Sequence, residues 1–364
     1  MPEQKQQPVT AVSALARSTY PLGFREEKPM ITRRTLLQTG AALTATLAMP
    51  HVARASGKPM KIAHAANELH PGHKLATSFA EALEELMPGA FNVLIFPNRQ
   101  LGDDKQLLEG AVAGTMDVTA VSGVLIPLVT GRLAMNGWQL PFLVRDYDHF
   151  GELALGDVGQ KIQNDLREAG LIGLATADTG QRHFLSVKDP VTSLDHLAGL
   201  KTRIVPVPLH KQIWETLGTS PVGMPYGEVY GGLETGVIDA VEINISSMLG
   251  ENLWEVGKHL TLTGHYPWHM TTLMSERYWD TLSDEEKAAV TEAGRRSVTA
   301  TLAYAKSQDA EGRDTLTQKG VEVLELADLD AMRAKVTGVT AEWAAKDPLI
   351  AELAAAAVQT GQAK

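Results

Sequence analysis

From Met60 onward, short apolar runs alternate with segments whose apolar residues recur every three or four positions. The run Lys61–Ala66 reads as a strand. Leu75, Phe79, Leu83 and Leu86 then line one face of a helix over Gly72–Leu86, and Phe91–Phe96 is a second strand stopped by Pro97. Strand, helix and strand in that order predict a βαβ unit, hence parallel strands in a doubly wound sheet. A second helix over Asp104–Ala113 ends at Gly114, and Met116–Val121 leads into a third strand.

The second half repeats this last module. Tyr226–Glu234 is helical and closes at Gly236, and Val237-Ile238-Asp239-Ala240-Val241 parallels Thr115-Met116-Asp117-Val118-Thr119. Each glycine suits the left-handed position just past a helix. One copy per half predicts two related α/β lobes facing a cleft at the carboxyl ends of their strands. Ser283 and Glu286 form a capping box that opens a long helix, interrupted by Gly294 and ending near Lys319-Gly320. Val321–Leu326 then reads as a strand and Leu329–Ala345 as a helix.

A chain of 364 residues, 44% hydrophobic, is long enough for two lobes or one large domain. The net charge of -10 argues against nucleic acid and against anionic membrane surfaces. Any anionic ligand must therefore be held by local positive charge. The absence of cysteine removes disulfides, thiolate metal sites and cysteine nucleophiles. Thr32-Arg33-Arg34-Thr35-Leu36-Leu37, an apolar run to Met49, and Ala53-Arg54-Ala55 read together as a twin-arginine (Tat) export signal. That run is shorter than the roughly 20 residues a spanning helix needs. The expectation is a soluble exported protein starting near Ser56, with residues 30–55 as signal and Met30 as its start. Residues 1–29 then form a non-native or disordered extension.

Two arginines stand about twenty residues apart, Arg182 just past an apolar run and Arg203 inside Gly199-Leu200-Lys201-Thr202-Arg203-Ile204-Val205-Pro206, which reads as the start of a short strand. A guanidinium near a core needs partners for its charge and its five donors. The pair fits an anion site, and it fits two structural salt bridges equally well. No phosphate loop, nucleophile elbow, His-Glu-x-x-His or dinucleotide fingerprint is present. His64, His70 and His73 cluster in sequence, but Pro71 interrupts them and no carboxylate at ligand spacing completes a set. A polar loop entering a helix is the preferred reading over a metal site. Asp103 and Asp104 read as helix-start acids.

Seven segments occur together in a recognisable order: Asn98–Asp103, Leu140–Phe142, Gly180–Arg182, Leu197–Arg203, Leu217–Val222, Met224–Tyr230 and Leu233–Asp239. With them the chain resembles, over essentially everything after Ser56, the DctP-type solute-binding proteins of TRAP (tripartite ATP-independent periplasmic) transporters. The resemblance implies a periplasmic-binding-protein-like α/β fold over 56–364. Lobe I covers roughly 56–180 plus later crossover segments, lobe II roughly 181–270, and a helical part 283–364. It implies a periplasmic protein that captures an organic acid and delivers it to TRAP membrane permease subunits. No catalytic residue, cofactor or metal is expected, and no membrane insertion once the signal is removed.

By the same resemblance Arg203 is the carboxylate clamp, its planar fork matching two carboxylate oxygens. Arg182 falls on a second arginine that assists in some members. Tyr226 falls where an aromatic residue packs on the ligand, with plain core as its alternative. Asn244 is favoured within Glu242-Ile243-Asn244, where the register is ambiguous by one residue. Ser122 and His265 fall on further pocket positions; some members are acidic at the former, so Ser122 implies a different distal ligand group. Trp268 and Trp214 either line the cavity or are buried for their area. An exported ligand-binding sensor and an exported enzyme on the same architecture are the competing readings. Turnover would mark an enzyme, and a co-purifying permease would mark the transporter component.

Overall fold

A computed structural model describes residues 57–362. The signal, its cleavage site and the extension before it lie outside the described residues. The first repeat is β1 (Lys58–Ala63), α1 (Pro71–Leu86), β2 (Phe91–Phe96), α2 (Asp104–Val112) and β3 (Val118–Ser122). After short helices comes β4 (Leu171–Ser186). The second repeat is β5 (Lys201–Ile204), α3 (Pro208–Leu217), β6 (Ser220–Gly223), α4 (Val229–Glu234) and β7 (Ala240–Asn244). Both repeats have the same strand order: β1 lies between β2 and β3, β5 lies between β6 and β7, and all four pairings are parallel.

The two aspartates of the sequence repeat do the same work. Lys61 N–H donates to Asp117 Oδ2 at 2.9 Å, and Lys201 N–H donates to Asp239 Oδ2 at 3.1 Å. Each carboxylate thus ties the entrance of its own strand to the neighbouring strand one residue before their first paired position. This is why β3 and β7 begin after the aspartates rather than at Met116 and Val237. Gly114 and Gly236 sit at φ +71° and +72°, the left-handed conformation expected past each helix.

β4 joins the two halves. Leu171–Gln181 pairs antiparallel with β9 (Pro267–Ser275), which itself lies against β3; Arg182–Ser186 pairs instead with β7 and with β8 (His259–Leu262). The change of partner occurs at a register shift between Asp178 and Gln181. There Asp178 Oδ1 accepts the Gly180 N–H at 2.9 Å, and Gly180 adopts φ +137°. The result is two α/β lobes sharing one strand.

The long helix α5 (Asp284–Gln318) backs both lobes. Ser283 and Glu286 make the reciprocal bonds of a capping box at its start. At about 1.5 Å per residue its 35 residues span roughly 52 Å. Val290 and Ala293 pack with Met60, Ile62 and Phe79 of the first lobe, whereas Leu316 packs with Leu185, Ile243 and Ile245 of the second. Gly294 does not interrupt the helix. A Cβ at that position would lie 2.3 Å from the Leu174 carbonyl oxygen, so the glycine lets the helix rest directly on β4. β10 (Glu322–Glu325) pairs with β8, α6 (Leu329–Ala344) follows, and α7 (Pro348–Gln362) adds a helix that the apolar spacing did not suggest.

Candidate functional site

The carboxyl ends of the parallel strands of both repeats converge on one cavity of about 330 Å³. On the first lobe Ala65 and Ala66 follow β1, Asp103 and Asp104 follow β2, and Ser122 ends β3. On the second, Val205 and Pro206 follow β5, Tyr226 follows β6, and Ser247 follows β7. Arg182 reaches the cavity from β4 and Trp268 from β9. Strand ends collect the site because the loops there are free of the ladder while the strands hold them in place.

Arg182 and Arg203 are both 2% exposed, but their surroundings differ. Arg182 Nε donates to Glu242 Oε2 at 2.6 Å and Nη2 donates to the Glu242 carbonyl oxygen, while the guanidinium lies 4.3 Å from the Trp268 ring centroid. Burial pushes the Glu242 carboxyl up, but Arg182 first, with the nearby His265 and His210, outweighs it and holds it well below the usual carboxylate range. Arg203 Nε and Nη2 both donate to the Met224 carbonyl oxygen, at 3.1 and 2.9 Å. Among the described residues no carboxylate stands within ion-pair distance of Arg203, and its Nη1 has no hydrogen-bond partner. Burial lowers its pKa to about 10, Glu242 opposing and Arg182 adding, which leaves it charged at neutral pH. The cavity wall therefore holds one neutralised guanidinium and one that lacks an anion.

The first lobe presents the opposite chemistry. Asp104, the first residue of α2, accepts the Ser122 N–H at 3.2 Å and the Ser122 hydroxyl, both through Oδ2, and its Oδ1 is buried without a partner. Burial raises its carboxyl above the ordinary value, more than the Ser122 bonds lower it. Arg99, at φ +60° in the loop after β2, donates from Nη2 to both carboxylate oxygens of Glu251 at 3.1 and 2.9 Å and lies 5.2 Å from the Tyr226 ring centroid. Glu251 and Tyr226 belong to the second lobe, so this contact bridges the cleft. His70 caps α1 by accepting the Gly72 N–H at 2.9 Å, and burial first, with His64 and Arg182, lowers its pKa to about 3.

The profile described as "Bacterial extracellular solute-binding protein, family 7" matches residues 62–347. The chain belongs to that family. A solute-binding protein of Roseobacter denitrificans is 30% identical over 322 residues, 86% of this chain and 93% of that relative. The C4-dicarboxylate-binding periplasmic protein DctP of Rhodobacter capsulatus is 30% identical over 292 residues, 80% of this chain and 87% of its own. Among solved structures, a TRAP periplasmic solute-binding protein from Polaromonas sp JS666 bound to D-erythronate superposes with a TM-score of 0.77. It is 28% identical and covers 82% of this chain and 98% of its own. The chain is thus a TRAP-type solute-binding protein of a periplasmic family.

Of the residues of this solute-binding protein expected to contact ligand, five line the cavity: Arg203, Arg182, Tyr226, Ser122 and Trp268. Asn244 and His265 stand behind the wall. Asn244 is fully buried, its Nδ2 donating to Thr179 O at 3.1 Å and to Ser246 Oγ at 2.9 Å, with His70 Nε2 3.2 Å away. His265 is also fully buried, Nδ1 lying 2.7 Å from Thr263 Oγ1 and Nε2 3.9 Å from Glu242 Oε2. Both hold the wall rather than face the cavity. Trp214 is buried too, donating to the Tyr266 hydroxyl at 3.2 Å.

Sequence reasoning missed Arg99, Asp104 and His70 as cavity residues. Asp103 is the helix cap it was expected to be, closing a capping box with Gln106. Asp104 lines the cavity as well as opening the helix, and spacing alone cannot show that. His64 Nε2 lies 3.0 Å from His73 Nδ1, so those two rings bond each other. Among the described residues no group of three or more His, Asp or Glu is arranged to hold a metal ion.

Proposed function

We propose that this chain captures a small organic acid in the cleft, binding its carboxylate through Arg203, and delivers it unchanged to a TRAP membrane permease. The observation that carries this reading is Arg203: a buried, charged guanidinium at the cavity wall with no carboxylate of its own. A ligand carboxylate would supply the missing charge, and closing the lobes would exclude water and strengthen the pair. Arg182 lines the same wall but is already neutralised by Glu242, so it assists through a remaining donor or by shaping Trp268. Tyr226, Trp268 and Ser122 complete the proposed contacts. Lobe I then comprises roughly 56–180 with later crossover segments and lobe II roughly 181–270. Family membership supports the transport role. The D-erythronate of the Polaromonas relative supports an acid as cargo. Residues 30–55 would direct export through the Tat pathway.

The test is mass spectrometry of whatever co-purifies with the native exported protein, followed by thermal melting against a panel of organic acids. A bound acid raises the midpoint by mass action and is recovered intact. A panel in which neutral analogues stabilise the protein as well as the acids do defeats the proposal, and so does recovery of a chemically altered ligand.

A further inference from the structure

We propose that the Ser122–Asp104 pair selects for acids that carry one carboxylate and a hydrogen-bond donor, hydroxyl or ammonium, and rejects diacids. This rests on the reading of Arg203 as the carboxylate site.

Among the cations lining the cavity, Arg182 is spent on Glu242 and Arg99 on Glu251. Lys105 lies 3.7 Å from Glu109 on the exposed face of α2. Only Arg203 faces the cavity without an anion, so only one carboxylate has a buried cation waiting for it. On the first lobe Asp103 and Asp104 line the wall beside Arg99 and Lys105, each of which already faces a glutamate, and Glu228 adds a carboxylate from the second. Asp103 and Glu228 are exposed, which leaves Asp104 as the carboxylate set into the wall. A second ligand carboxylate placed beside Asp104 would meet a like charge that is itself largely out of water, where repulsion is strong.

The hydrogen-bond arithmetic points the same way. Ser122 is 6% exposed, and its only hydroxyl proton is committed to Asp104 Oδ2. What Ser122 Oγ has left to offer is lone pairs. Asp104 Oδ1 is likewise an acceptor without a donor. Two acceptors side by side need a donor from the ligand; an ionised carboxylate has none, and an aliphatic chain leaves both unpaired. A ligand hydroxyl reaching this wall supplies that donor to Ser122 Oγ, and an ammonium would also meet the Asp104 charge.

Three matched sets of acids test this by calorimetry: D-erythronate, butyrate and succinate; gluconate, hexanoate and adipate; 4-hydroxybenzoate, benzoate and terephthalate. In whichever set binds, the hydroxylated monoacid should bind at least tenfold tighter than the plain monoacid and the diacid. Asp104→Asn, whose amide adds a donor and removes the charge, should move the monoacid-to-diacid ratio at least tenfold toward the diacid. Ser122→Ala should narrow the gap between the hydroxylated and the plain monoacid. Each variant's ligand-free melting midpoint shows whether it is folded, and Ser122→Ala serves if Asp104→Asn is not. A native preference for the diacid overturns the inference, as do ratios unmoved in the folded variants. If a set binds without preference, only this inference fails. If no acid in any set binds, the carboxylate reading of Arg203 fails and takes this one with it.

Discussion

Glu242 Oε2 lies 2.6 Å from Arg182 Nε, Arg182 almost wholly buried in the cavity wall and Glu242 fully buried behind it. Two charges buried this way stabilise little together, but either one alone is costly. Glu242→Gln leaves the Arg182 guanidinium without its anion and should destabilise the fold by about 3 to 5 kcal/mol. Urea unfolding of the ligand-free protein measures this. A loss below about 1 kcal/mol would mean that Arg182 finds another partner or hydration once the carboxylate is gone.

Arg203 should behave in the opposite sense. It has carbonyl partners and no anion, so the folded protein bears its desolvation without a compensating charge. Arg203→Met should therefore leave the ligand-free protein as stable as the parent, or more so, which is the usual trade at a binding site. The same variant should lose about 3 to 5 kcal/mol of affinity for the acid, roughly a hundred- to a thousandfold or more in Kd. Arg203→Lys should recover little, because an ammonium lacks the planar fork. Calorimetry with the acid that co-purifies is the check, and full affinity in Arg203→Lys would argue against a bidentate clamp.

Arg99 and Glu251 join the two lobes across the cleft, beside Tyr226. The pair is part-exposed, with side chains 32% and 17% accessible, so its worth is modest, about 0.5 to 1 kcal/mol. Because it bridges the lobes, weakening it should act on opening rather than on capture. Arg99→Ala and Glu251→Gln should each speed ligand release by roughly two- to fivefold with little change in the association rate, and the double variant should be no faster than either one. Stopped-flow tryptophan fluorescence reads this directly. Additive effects of the two substitutions would mean that they do not act as a pair.

Much of the fold was legible because the repeat carries physical punctuation. A glycine past each helix and an aspartate before each strand recur in both halves, and both aspartates turn out to bond the entrance of the neighbouring strand. The helix capping box at Ser283 was equally readable, since its residues and their spacing are the motif. The site was less so. Arg182 and Arg203 stand out as buried arginines in apolar context, but which of them is neutralised depends on Glu242, sixty residues from Arg182 in sequence. Asn244, at the end of β7, and His265, in the turn before β9, lie behind the wall, a difference of depth that spacing along the chain does not show. Asp104 stayed hidden because a helix-start acid and a cavity acid look alike in one dimension.

Asp309, on the long helix α5, is buried against β4 where that strand changes partner. Its Oδ2 accepts from the Tyr147 hydroxyl and from the Gln181 N–H, its Oδ1 has no partner, and Asp178 stands close enough to interact. Burial raises the Asp309 carboxyl above its ordinary value of 3.8, Tyr147, Gln181 and Arg313 only partly opposing. A carboxyl whose folded pKa exceeds its unfolded one binds its proton more tightly when folded, so it weakens the fold at neutral pH and the penalty fades as pH falls toward the unfolded value. Asp309→Asn keeps an acceptor for Tyr147 and Gln181 and removes the charge. It should be more stable than the parent near pH 7.5, with an advantage that shrinks by about pH 5. Denaturant unfolding at the two pH values decides it: a variant less stable at neutral pH, or one whose advantage grows in acid, would mean that Asp309 is held ionised by its surroundings.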